Sequence, residues 1–255
     1  MYINEKDKGI VCNMKEEIHH FDLRSANALY KTILYLIEFS NSMFNGELID
    51  IIHIYSSELS NMSESRKKEY ILGRYAATRA VEILENHSGI YIKRGLFNNP
   101  YLVGSDFSDI SIAHSNEYVT AIAFDRNIIL GVDCQMINSE DDVSCIWELL
   151  TVNEKRLLSS CTLEYNIMIM VFWTIKESVT KAIRTGLTIP MNILEIVEVV
   201  YSGNKIIAYM KNIPQYKTVT YIKDKLIISI ALPKVLDIYG LDLSTREFRE
   251  KNFGL

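Results

Sequence analysis

Apolar residues recur along this chain in two rhythms. In SESRKKEYILGRYAATRAVEILENH (63–87), Tyr70, Ala77, Val81 and Leu84 fall at helical spacing behind a Ser63 N-cap, and Ala, Leu and Glu fill the interior; a long helix is predicted. Leu29, Ile33, Leu36 and Ile37 repeat the same spacing and predict a helix over 26–43. The short apolar run IDIIHIY (49–55) predicts a buried strand, and GLFNNPYLVG (95–104) a loop, from its Asn-Asn-Pro and flanking glycines. DISIAHS (109–115), EYVTAIAF (117–124) and IILGVDCQ (128–135) predict strands, the last two around the turn Asp125-Arg126-Asn127. Helical pattern returns over 140–160 and again over 164–184, where Ile175, Val179 and Ala182 share one face and Trp173, Glu177, Lys181 and Arg184 the other. Four segments, 194–201, 205–211, 217–223 and 225–232, then alternate as antiparallel hairpin strands. Helices and hairpins mix without regular βαβ alternation, so the predicted fold class is α+β.

Composition narrows the function. The chain has 255 residues, 48% of them hydrophobic, enough for a core without disulfide or metal staples. No repeat and no Pro/Gly/Ser linker divides it. A net charge of −5 argues against general nucleic-acid binding, which needs a basic footprint. The four cysteines form no CxxC pair and no zinc spacing with histidine. The charged N-terminus lacks a signal-peptide run, and no stretch nears the ~20 apolar residues of a membrane span. A reduced, soluble, cytoplasmic protein is expected.

Two segments carry the candidate chemistry: LGVDCQ (130–135), an apolar strand ending in Asp133, and FWTIKESVTKAIRTGL (172–187), a helix with Lys176, Glu177 and Lys181. Taken alone, Glu177 and Lys181 make an i,i+4 pair common on exposed helices, and Asp133 suits a strand-end turn. Two details weigh against that reading. Trp173 shares the charged face, and strand ends in such folds often present ligands. His114, taken alone, reads as a packed structural residue.

Together these segments resemble the signature of the 4′-phosphopantetheinyl transferases: an apolar-Gly-apolar-Asp-x-Glu strand end, an interval of some forty residues, and an aromatic-Ser/Thr-x-Lys-Glu-Ser/Ala-x-x-Lys helix. Here they stand as GVDCQ and WTIKESVTK. LGRYAATRAV, FNNPYL and SIAHSNEYVTAIAF resemble further motifs of the larger, two-lobed type that primes peptide-synthetase and polyketide-synthase carriers, so the likeness runs from about residue 70 to 190. The resemblance implies two similar lobes forming a pseudo-dimer, 1–127 and 128–255, with the active-site cleft between them and a monomeric chain. It implies transfer of 4′-phosphopantetheine from coenzyme A to a serine of an apo acyl or peptidyl carrier protein, with release of 3′,5′-ADP. The alternative is a non-catalytic CoA- or nucleotide-binding module that docks carriers.

By the same resemblance, Asp133 and Glu177 ligate magnesium, Glu177 takes the serine proton, and Lys181 meets the leaving phosphate. Arg74, His114, Ser115, Lys176 and Asn99 are expected around coenzyme A, although Lys176 could instead bridge to a neighbouring acid. Gln135 stands where the family usually has a second acid, and its carbonyl is the candidate third metal ligand. Ala113 stands where a serine is common. Met136, Ile137, Ile146, Trp147 and Leu150 form a candidate apolar docking patch for the carrier, or else helix core.

Overall fold

In this computed structural model, residues 14–39, 46–60, 62–95, 99–137 and 140–243 are described. The chain begins with β1 (Met14–Arg24) and β2 (Leu29–Phe39), then α1 (Gly46–Leu59) and α2 (Glu64–Glu85). A small hairpin follows, β3 (Tyr91–Arg94) with β4 (Pro100–Val103), and then β5 (Ser108–Ser115) and β6 (Tyr118–Asp125). β7 (Gly131–Met136) leads into α3 (Glu140–Leu149), α4 (Val152–Leu158) and the long α5 (Tyr165–Ala182). The chain closes with β8 (Ile196–Ser202), β9 (Lys205–Met210), β10 (Tyr216–Lys223), β11 (Leu226–Pro233) and β12 (Asp237–Tyr239).

These elements build an α+β fold from two five-stranded sheets, ordered β12-β1-β2-β6-β5 and β7-β11-β10-β9-β8. The sheets share one core: Phe21, Leu34 and Ile122 of the first pack with Val132, Val219 and Ile230 of the second. α1 and α2 cover the outer face of the first sheet through Tyr55, Ile71, Ala77 and Val81. α3 and α5 cover the second through Ile146, Phe172, Ile175 and Val179. The result is four layers, helix–sheet–sheet–helix, each apolar face buried against the next. β12 comes from the end of the chain yet pairs with β1, Asp22 opposite Tyr239.

Two predicted elements change type. Residues 29–39 form the strand β2, not a helix; Thr32–Ile37 are buried without a break. A strand covered on both faces presents a continuous apolar run, which a helical template also matches in part. Residues 49–55 lie in α1, not a strand: Leu48, Tyr55 and Leu59 are buried at i, i+7 and i+11, while Ile54 is exposed. The predicted loop at 95–104 contains β4, and 96–98 lie outside the described residues. β1 and β12, which carry weak patterns, went unpredicted.

The predicted helix over 63–87 is α2, capped by Ser63 Oγ accepting from the Arg66 amide. The strands over 108–125, β7, α5 and the closing meander β8–β11 also form where the pattern places them.

Candidate active site

The site grows from a close approach. Gly131 opens β7 directly beneath α5: a Cβ there would stand 2.1 Å from the Ser178 carbonyl oxygen and 2.4 Å from the Ala182 nitrogen. Only glycine lets strand and helix come so near. Alternation along β7 then turns Val132 and Cys134 into the inter-sheet core and leaves Gly131, Asp133 and Gln135 on the α5 side. On α5, Glu177 and Lys181 stand at i and i+4, and Arg184 follows just past the helix end in a left-handed turn.

Asp133 and Lys181, far apart in sequence, meet here: Lys181 Nζ donates to Asp133 Oδ1 at 2.7 Å. Burial holds the Asp133 carboxyl above its usual range, with Lys181 opposing. Glu177 joins them without a partner of its own, because its Oε1 is buried and accepts no hydrogen bond. Burial, and then the charge of Asp133, push Glu177 up to about 7, again against Lys181. Two enclosed carboxylates thus share one ammonium.

That imbalance is what a divalent cation would relieve. Among the described residues, no cluster of three or more His, Cys, Asp or Glu side chains forms a metal site. Two carboxylates nonetheless suit magnesium, which takes one or two together with phosphate oxygens and water. The unpaired Glu177 oxygen fits that role, and Gln135 offers an amide oxygen on the same strand face.

Beside Lys181 lies a cleft of about 770 Å³, lined by Asn99 and Pro100, Ser111 and Ile112 of β5, and Thr180, Lys181 and Arg184 with the turn after α5. Arg184 pairs with Asp109 of β5. Asn99 lines this cleft. His114 follows Ile112 on the same face of β5. Its imidazole is driven down to about 4 by burial, with the charges of Arg66 and Lys181 adding and Glu69 opposing. It is therefore neutral at pH 7. Arg66 Nη1 lies 2.6 Å from its Nε2, and Glu69 Oε2 lies 3.4 Å from its Nδ1.

Three expected phosphate ligands have other work. Lys176 takes the bridging alternative. It is 1% exposed, its Nζ lies 2.9 Å from Glu154, and it donates to the Met191 carbonyl at 3.0 Å. Glu154 is itself fully buried; it also accepts the Thr151 and Ile196 amides, pinning α4 and β8 to α5. Arg74 is buried between α1 and α2, its guanidinium 3.3 Å from the Tyr70 ring centroid and 3.9 Å from Glu58. Ser115 Oγ accepts the Met136 amide at 2.9 Å, as Ser111 Oγ accepts that of Val132 at 3.0 Å. These two serines of β5 stitch the first sheet to the free edge of β7.

In the candidate docking patch, Ile146 and Leu150 are buried in the core under α5. Trp147 is half-buried, 5.4 Å from the Tyr165 ring with Lys155 above it. Leu149 and Val152 are exposed beside them. Cys134, Cys145 and Cys161 are free thiols, and Cys12 lies outside the described residues. No helix among the described residues is long and apolar enough to cross a membrane.

Sequence reasoning passed over Arg66 and Glu69. They share one α2 face with Gly73, at i, i+3 and i+7, and only the packing of Gly73 against Ile112 of β5 brings that face to His114.

Residues 129–231 match the family model of the 4′-phosphopantetheinyl transferase superfamily. The match contains both GVDCQ and WTIKESVTK, while LGRYAATRAV and SIAHSNEYVTAIAF lie outside it. No curated protein matches the chain.

Proposed function

We propose, from the premise that residues 129–231 belong to the 4′-phosphopantetheinyl transferase superfamily, that this chain converts apo carrier proteins to their holo form with coenzyme A as donor. The observation that carries the reading is the meeting of Asp133, Glu177 and Lys181 at the edge of an open cleft, with one Glu177 oxygen unpaired.

In this reading the cleft holds coenzyme A. Asp133 and Glu177 hold magnesium, with Gln135 as a weaker oxygen donor. When bound, the ion neutralises charge on the pyrophosphate. The carrier serine Oγ attacks the phosphorus on the pantetheine side, its O–P bond forms, and the bond to the bridging oxygen breaks. Glu177 accepts the serine proton. Lys181 stands one helical turn along and neutralises the departing phosphate of 3′,5′-ADP. Asn99 borders the substrate as an uncharged donor.

The carrier docks over Trp147, with the exposed Leu149 and Val152 beside it; of the apolar positions first considered, Met136, Ile137 and Trp147 keep some exposed surface, while Ile146 and Leu150 are buried. The two halves act as pseudo-equivalent lobes of one chain, which works as a cytoplasmic monomer on carriers of fatty-acid, polyketide or peptide synthesis.

Intact-mass spectrometry of an apo carrier incubated with the protein, CoA and magnesium tests this. A gain of one phosphopantetheine arm, lost with Glu177→Gln and with EDTA, is expected. CoA binding with no gain across carriers of several classes would favour a binding module.

A further inference from the structure

The strand that carries Asp133 is held by backbone on one edge only. There β7 pairs with β11, Ser229 opposite Asp133 and Ile227 opposite Gln135. Among the described residues, no strand pairs with the other edge of β7. Amides on a buried edge need acceptors from elsewhere. Alternation along the ladder points three amides that way, those of Val132, Cys134 and Met136. Val132 donates to Ser111 Oγ at 3.0 Å and Met136 to Ser115 Oγ at 2.9 Å. The amide between them, that of Cys134, donates to the Asp133 carboxylate itself.

The two hydroxyls match the strand they hold. Ser111 and Ser115 stand four residues apart on β5, as Val132 and Met136 do on β7, so the strands run parallel with a side-chain seam in place of a ladder. Both serines are 6% exposed. Ala113, midway, has no hydroxyl to compete with Asp133 for the Cys134 amide. Ser111 also lines the cleft, between Ile110 and Ile112. The seam therefore ties the cleft wall to the strand that presents Asp133 and Gln135. A slip of β7 by one residue would turn Asp133 into the inter-sheet core and Cys134 toward α5.

We propose that Ser111 and Ser115 are positioning residues for the transfer: their hydroxyls set the register of β7 against the cleft wall, and with it the place of Asp133 beside Glu177 and Lys181. Their effect reaches the reaction through Asp133. The proposal rests on the reading of this site as a phosphopantetheinyl transferase centre.

Ser111→Ala and Ser115→Ala are made singly, each beside its threonine counterpart, which keeps the hydroxyl. Two measurements are taken: steady-state priming of an apo carrier with CoA and magnesium, and calorimetric titration of magnesium into the protein alone. Each alanine variant should lose roughly 10- to 100-fold in kcat, the scale of a group misplaced by about 1 Å, with KM for CoA unchanged. Magnesium affinity should fall several-fold in the same variants, and threonine should restore both. If one alanine variant fails to fold, the other decides; unfolding of both makes the seam a folding element and overturns the proposal. Wild-type kcat and magnesium affinity in the alanine variants overturn it as well. So does a loss of activity that follows the folded fraction by circular dichroism, or that threonine does not restore. A wild type that primes no carrier overturns the functional reading, and the proposal with it.

Discussion

Glu177→Gln in the metal-free protein probes the acid pair through stability alone. The folded carboxyl lies at about 7 against an ordinary 4.5. A displacement of that size corresponds to ~3 kcal/mol at about 1.4 kcal/mol per pH unit; partial exposure discounts it to on the order of 2 kcal/mol. Because the folded value is raised, the native state holds its proton longer than the unfolded chain. The contribution is fully present below pH 4.5 and is lost as pH rises through about 7. Glutamine mimics the protonated form at every pH. In EDTA, the variant should therefore equal the wild type near pH 4 and exceed it at pH 8 by on the order of 2 kcal/mol, or roughly 4–8 °C in melting temperature. His114 acts in the opposite sense over an overlapping window, since its folded value is depressed to about 4. The difference between the two proteins removes that background. Urea titrations at pH 4, 6 and 8 provide the assay. Parallel stability curves for the two proteins would refute the shared-charge account of the site. Magnesium should reverse the order at pH 8, adding ~2.7 kcal/mol to the wild type at 100 times its Kd and little to the variant.

Gly131→Ala should unfold the protein or leave it insoluble, because the new methyl meets backbone on α5 that cannot step aside; circular dichroism and solubility check this. Lys176→Met should cost roughly 3–5 kcal/mol by stranding the buried Glu154 charge. If the variant folds, its CoA affinity should match the wild type, whereas a phosphate-binding Lys176 would lower it. Gln135→Glu should tighten magnesium binding several-fold, measured by the metal's effect on melting temperature, and an unchanged midpoint would remove position 135 from the metal site.

The site was more legible than the fold around it. GVDCQ and WTIKESVTK are short, local and chemically distinctive, whereas the close approach at Gly131 shows only once α5 lies over it. β2 and α1 failed for a shared reason. Each is an apolar run whose period depends on what covers it, and the cover comes from α2, β6 and the second sheet, which no local window contains. For Lys176 and Arg74, the partners were not legible for another reason. Both are cations in motifs that resemble phosphate ligands, but Glu154 and Glu58 reach them through tertiary packing, and a buried cation takes the acid that the fold supplies. Arg66 was missed because nothing in its own sequence neighbourhood pairs it with His114.

The strand β12 bears on how the molecule comes to exist. The first sheet is completed by Asp237–Tyr239 pairing with Asp22–Arg24, so strands separated by every other element of the fold must find each other. Pairing over such a span carries a high contact order and a slow closing step. On the ribosome, β1 must wait with one edge open until β12 has emerged, and a segment carrying β1–β6 made alone would keep that edge free to pair with its own copies. Production of the two sheets as separate fragments for complementation should therefore keep Asp237–Tyr239 on the same fragment as β1.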